Sequence, residues 1–132
     1  MEKNPKLIFF VEDDALMIRM YERLFKLSGF ELIHAADGAV AIEQVQKLTI
    51  KPAIFVLDVM MPKLSGFDVL EFIKKNAELL DVPVIMLTNL ATKEDAEKAT
   101  TMGANLYLVK SQYGPKEIVQ KIQTTIAGVK GA

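Results

Sequence analysis

Short apolar runs alternate with amphipathic stretches along the chain. Five runs, at residues 7–11, 31–35, 53–57, 84–87 and 106–109, are rich in β-branched and aromatic side chains and too short for helices. They predict buried strands of a parallel sheet. Between them the apolar period lengthens to that of a helix. Leu16, Met20, Leu24 and Leu27 recur at i, i+4, i+8 and i+11 before Ser28-Gly29 ends the stretch, and Ala41, Val45 and Leu48 recur ahead of Pro52. Leu70, Ile73 and Ala77 form a third stripe, and Ile118, Ile122 and Ile126 a last one at i+4 spacing. The stretch between the fourth and fifth strands differs. Thr92-Lys93-Glu94-Asp95 reads as a helix N-cap with an acid three residues on, yet only Ala96, Ala99 and Met102 follow as apolar anchors. A helix so lightly anchored shifts at low cost.

Strict β–α alternation through five units predicts an open parallel sheet with helices on both faces, because parallel neighbours need right-handed crossovers. The expected fold is a flavodoxin-like (βα)5 doubly wound α/β domain of strand order 2-1-3-4-5. Ligands of such sheets sit outside the carboxyl ends of the strands, where the strand order reverses, here between the first and third. One domain is expected over residues 1–132, with its core at about 6–127 and a frayed end at 128–132. At 132 residues and 51% hydrophobic content the chain can bury roughly two-thirds of its unfolded surface unaided. The 16 Lys and Arg nearly cancel the 17 Asp and Glu, which argues against direct nucleic-acid binding. The absence of Cys excludes disulfides and thiolate chemistry and agrees with a cytoplasmic address. The first apolar run, five residues long, is too short for a membrane span or a signal peptide.

The sheet topology gives the acidic residues a meeting place. Glu12-Asp13-Asp14 closes the first strand and Asp58 the third, and carboxylates gathered at buried strand ends call for a cation. Asp58 is a poor candidate for a helix cap, because Pro62 and Ser65-Gly66 intervene and Ser65 suits that role. Its oxygen can attack phosphorus once a metal and a second cation neutralise the entering oxygens. Oxygen-only ligands suit Mg²⁺ or Mn²⁺ and not zinc, for which there is only His34, more simply read as a structural histidine of the second strand. Asp14 fits as the acid that opens the first helix. Lys110 and Thr88 end the fifth and fourth strands, where each would ordinarily be a solvated lysine and a turn hydroxyl. Their alignment with Asp58 is what singles them out.

From about Lys6 to about Ala127 the chain resembles the receiver domain of two-component response regulators. The resemblance is carried by Val11-Glu12-Asp13-Asp14, Leu57-Asp58-Val59-Met60-Met61-Pro62-Lys63-Leu64-Ser65-Gly66, Met86-Leu87-Thr88, Met102-Gly103-Ala104 and Tyr107-Leu108-Val109-Lys110. It implies that Asp58 accepts a phosphoryl group from a phosphohistidine of a sensor histidine kinase or histidine phosphotransfer protein. Asp13, Asp58 and the backbone carbonyl of Met60 would bind Mg²⁺ or Mn²⁺, with Glu12 acting through water. Thr88 and Lys110 would hold the phosphoryl group, and Tyr107 would be the switch aromatic. Such a domain is no enzyme beyond its own phosphoryl transfer and slow autodephosphorylation. The expected output surface is the face of the fourth helix, fifth strand and fifth helix, with Lys93, Glu97, Lys98 and Lys116 as contacts. Its partners would be a downstream protein or a covalently linked output domain, and phosphorylation-dependent homodimers are a further expectation.

The chain departs from the family pattern at identifiable places. Ser111 stands where proline usually follows the lysine, which predicts a trans bond, since cis before a non-proline costs roughly 3 kcal/mol. Asn89 replaces the usual small residue after Thr88, and apolar Met60 and Leu90 are placed to shield the site. A flavin-binding module would need a phosphate-cradling turn where Glu12-Asp13-Asp14 stands, and a Rossmann enzyme would need Gly-x-Gly-x-x-Gly there. An aspartyl-phosphate hydrolase would need a general acid at the position of Met60. The remaining alternative is a degenerate receiver acting as a phosphorylation-independent interaction module.

Overall fold

Five parallel strands, β1 (Leu7–Val11), β2 (Glu31–Ala35), β3 (Ile54–Leu57), β4 (Val84–Thr88) and β5 (Leu106–Val109), form one sheet in the order β2-β1-β3-β4-β5. The computed structural model describes residues 1–128, so most of the expected frayed end lies outside the described residues. The helices are α1 (Ala15–Leu27), α2 (Gly38–Gln46), α3 (Gly66–Lys74), α4 (Lys93–Thr101) and α5 (Pro115–Ala127). This is the flavodoxin-like arrangement expected, with α2, α3 and α4 packed on one face of the sheet and α1 and α5 on the other.

Register aligns the strand ends. Val11 pairs with Leu57, Leu57 with Met86, and Thr88 with Val109, so Glu12, Asp58, Thr88 and Lys110 emerge along one edge of the sheet. Every residue of β1, β3 and β4 is buried. The outer strands depart from the expected burial. Glu31 of β2 is exposed and Leu106 of β5 is 37% exposed, because each edge strand has a neighbour on one side only. A two-residue parallel pair, Glu2–Lys3 with Ile50–Lys51, was unforeseen, since two residues on each side, three of the four charged, carry no strand pattern.

Helix boundaries follow local chemistry. Asp14 caps α1 by accepting from the N–H groups of Leu16 and Met17, and Gly29, at φ 83°, supplies the left-handed turn that ends it. Ser65 and Asp68 form a capping box at α3, which leaves Asp58 free of that duty. Thr92 accepts from the Asp95 N–H at the start of α4, where Ala99 is the one buried helix residue. No peptide bond among the described residues is cis, and Lys110–Gln112 continues from β5 as a short 3₁₀ turn.

Two apolar stripes are corrected. The face of α1 turned to the sheet is Ile18, Tyr21 and Phe25, whereas Leu16 is 77% and Leu27 81% exposed and Met20 is exposed beside them. The helix carries apolar residues on two faces, and the aromatic one wins because Tyr21 packs on Phe10 at 5.3 Å between ring centroids. In α3 the chain leaves the helix after Lys74, so Ala77 is exposed in a turn and Leu79 takes the buried place. Among the described residues no helix is long and apolar enough to cross a membrane.

Candidate functional site

The site lies where β1 and β3 end. Carboxylate oxygens of Glu12, Asp13 and Asp58 lie within 4.8 Å of one another. Glu12 and Asp58 are buried, at 1% and 5% exposure, and Asp13 is open to solvent. Asp58 is held on both oxygens: the Met60 N–H donates to Oδ1 at 3.1 Å and the Lys110 ammonium to Oδ2 at 3.1 Å. Lys110 also pairs with Glu12 Oε1, and the Asp14 N–H donates to Glu12 Oε2 at 3.2 Å. Gly66 closes the loop beneath. A Cβ there would sit 2.8 Å from the Asp58 carbonyl carbon and nearer still to its oxygen. Only glycine lets α3 begin so close to the strand end.

One ammonium faces three carboxylates, so the fully ionised cluster carries two excess negative charges. The electrostatics register that imbalance. Burial pushes the Glu12 carboxyl up from 4.5 to about 7, against the hydrogen bond and charge of Lys110, and the nearby Asp58 charge adds to the rise. Burial alone would lower Lys110, but its bond to Glu12 and the charges of Asp58 and Glu12 outweigh it and raise it. Tyr21, under the cluster, is pushed up to about 12 by burial and by the Glu12 charge. An oxygen-only set with two uncompensated charges and one open side fits a hard divalent cation such as Mg²⁺ or Mn²⁺.

Thr88 and Tyr107 meet at Leu90. Thr88 is fully buried and its Oγ1 accepts from the Leu90 N–H at 3.2 Å, while the Tyr107 hydroxyl donates to the Leu90 carbonyl at 2.6 Å. The two residues are therefore joined through one peptide segment, residues 88–90, that connects the sheet to α4. Burial, then the charges of Asp95 and Asp58, raise the Tyr107 phenol.

The fold thus brings together Glu12, Asp13, Asp58 and Lys110, and sets Thr88 and Tyr107 on a linked segment beside them. Lys110 pairs with Glu12 as well as with Asp58, and the backbone of Leu90 connects Thr88 to Tyr107. Met60 is 58% exposed at the mouth. Two candidate output contacts face elsewhere: Lys98 lies over the Phe67 ring of α3 at 4.3 Å, and Lys116 lines a groove between α5 and α1 with Met20 and Leu24. His34, read as structural, bonds the Glu12 carbonyl. Polar character in a strand next to the acidic run was the only signal for it.

A parallel α/β sheet with paired acids, a third carboxylate and a lysine at its strand ends defines a class, and the comparisons agree. The family model for the response regulator receiver domain matches residues 8–123, and the chain belongs to that family. It is 38% identical over 128 residues to the probable transcriptional regulator ycf27 of Cyanophora paradoxa, covering 96% of this chain and 50% of that protein. The chain spans about half the length of the ycf27 relatives it matches. It is 31% identical over 114 residues to the polar-differentiation response regulator DivK of Brucella anthropi, covering 86% of this chain and 91% of that one. The crystal structure of the Mn²⁺-bound form of the response regulator Rcp1 matches with a TM-score of 0.79 at 29% identity, over 97% of both chains. The chain is therefore a response regulator receiver domain, the phospho-accepting module of two-component systems, with a CheY-like fold.

Proposed function

We propose that Asp58 is the phosphoryl acceptor, and that the receiver takes its phosphoryl group from a phosphohistidine on a sensor kinase or phosphotransfer protein. The observation that carries this reading is the Asp58 carboxylate at the end of β3, within 4.8 Å of the Glu12 and Asp13 oxygens and 3.1 Å from Lys110. An Asp58 oxygen attacks phosphorus, the phosphorus–nitrogen bond breaks, and the histidine leaves with the bond electrons and takes up a proton. Asp13, Asp58 and the Met60 carbonyl would hold Mg²⁺ or Mn²⁺, with Glu12 reaching it through water; when bound, the ion neutralises charge on the transferring group. Lys110 exchanges Asp58 Oδ2 for a phosphoryl oxygen, and Thr88 donates its hydroxyl to another. The exposed row Leu16, Met20 and Leu27, flanked by Arg19, Arg23 and Lys26, supports a helical protein as phosphodonor.

The phosphoryl group adds about two negative charges. Drawing Thr88 towards it strains the Leu90 segment, releases the Tyr107 hydroxyl and shifts the α4–β5–α5 face between two states. The shallow hold on α4, with Ala99 alone buried, supports that helix as the mover. The switched face would bind a downstream protein or an attached output domain, or pair two phosphorylated copies. In this reading residues 1–132 make up one receiver unit.

Intact-mass analysis after incubation with Mg²⁺ and a phosphorylated histidine-kinase core tests the proposal, beside Asp58→Asn and a metal-free control. One phosphoryl adduct, absent from both controls, is the expected result. No adduct from several competent kinases would instead favour the phosphorylation-independent interaction module.

A further inference from the structure

We infer that His34 is a positioning residue for the metal site and acts through the carbonyl group of Glu12. The inference rests on the proposed role of Asp13 as a metal ligand. The parallel ladder between β1 and β2 ends at the Glu12 N–H, which donates to the Ala35 carbonyl at 3.0 Å. One residue later β2 has given way to the turn where Asp37 caps α2, so no strand continues to serve the Glu12 carbonyl. His34 takes that place. Its Nε2 lies 2.7 Å from the Glu12 oxygen, and because a carbonyl can only accept, Nε2 carries the proton.

The consequence runs through the peptide plane. The Glu12 carbonyl belongs to the rigid unit that also contains the Asp13 nitrogen and ends at the Asp13 Cα. Fixing its oxygen fixes the direction from which Asp13 enters the site. Glu12 has its own restraints, from Lys110 on Oε1 and the Asp14 N–H on Oε2, and Asp58 is held by Met60 and Lys110. Asp13 is the exposed member of the trio, and the peptide that bears it is anchored from the sheet side by His34. The imidazole, half-buried on an edge strand with one neighbour, is thus a lateral brace for the carboxylate on the open side of the site. Groups that orient a metal ligand without touching the metal typically change metal affinity by about 10- to 100-fold.

Mn²⁺ binding, followed by the loss of the free-ion electron paramagnetic resonance signal, tests this on the intact chain. The comparison is among the parent, His34→Leu, His34→Asn and His34→Gln, with thermal unfolding of each to establish that it is folded at the assay temperature. Gln carries an amide N–H at nearly the reach of Nε2, and Asn is polar but one methylene short. The dissociation constant is expected to rise about tenfold in His34→Leu and His34→Asn and to return to within about threefold of the parent in His34→Gln. Should the Leu variant not fold, the contrast between Asn and Gln carries the test. Parent-like affinity in the Leu or Asn variant, with only stability lowered, would reduce His34 to an edge-packing residue and overturn the inference. So would equal weakening in Gln and Asn. Failure of the parent itself to bind Mn²⁺ would instead overturn the metal reading of the acidic cluster, and this inference with it.

Discussion

Glu12 should make the metal-free protein less stable as the pH rises towards neutrality. Its side chain is 1% exposed, and burial lifts its carboxyl from 4.5 to about 7 in spite of the pairing with Lys110. In the unfolded chain the same group ionises near its ordinary value. Between 4.5 and about 7 the folded protein therefore keeps a proton that the unfolded chain has released, so stability is fully present below 4.5 and is lost progressively up to about 7. The displacement corresponds to on the order of 3 kcal/mol, or roughly 10 °C in unfolding temperature for a domain of this size. Lys110 does not blur the window. Its raised value gives stability that is present below 10.5 and lost only as the pH climbs through the higher folded value.

The assay is urea unfolding at half-unit steps from pH 4.5 to 8.5 in a chelator, on the parent and on Glu12→Gln, which keeps the shape and cannot titrate. Slopes from carboxylates remote from the cluster cancel in the difference between the two proteins, so the difference reports the cluster that Glu12 belongs to. That difference should grow with pH in favour of Gln and level off above about 7. Saturating Mg²⁺ should reverse the trend, because a bound cation favours the ionised cluster and stabilises by mass action. Parallel pH profiles for the two proteins in chelator would refute the reasoning, since they would mean that Glu12 is ionised in the fold without penalty.

Gly66→Ala should cost about 3 kcal/mol or more and abolish phosphoryl acceptance in the fraction that still folds, because the added Cβ meets the Asp58 carbonyl, which is backbone and cannot step aside. Urea midpoints and intact-mass phosphorylation check it, and an Ala variant with parent-like values for both would contradict it. Thr92→Ala removes the cap of α4, worth about 1 kcal/mol, from a helix that buries only Ala99. Amide exchange in α4 should speed up about fivefold while β1 and β3 amides stay unchanged; acceleration spread evenly over the domain would show that α4 is not a separate unit.

Elements whose cause is local were readable from residues. β1, β3 and β4 announce themselves because burial on both faces leaves an unbroken apolar run, and the caps at Asp14, Ser65 and Thr92 because one side chain serves its own helix. The convergence of Glu12, Asp13 and Asp58 followed from strand order, and the candidacy of Lys110 from its place at a strand end. What escaped depends on partners remote in sequence. The bonds of Tyr107 and His34 end on backbone carbonyls, which carry no residue identity, and the Lys110–Glu12 pair joins the end of β5 to that of β1 across two intervening strands.

The misreading of α1 is of another kind. Leu16, Met20, Leu24 and Leu27 have the spacing of a core-facing stripe, and only the packing of Tyr21 and Phe25 beneath Phe10 shows that a second face holds the sheet. Leaving Leu16 and Leu27 almost wholly in water gains nothing for the isolated domain, because apolar area stabilises only when it is removed from solvent. The row begins at the helix end capped by Asp14, beside Asp13, and runs along the seam where Met20 and Leu24 meet Pro115 of α5. A helical partner laid along it would have one end at the mouth of the acidic site, which is where a phosphodonor has to be. The periodicity that failed as a guide to the core is thus consistent evidence for the proposed encounter, and a disagreement between sequence pattern and burial at such a place belongs to function more than to folding.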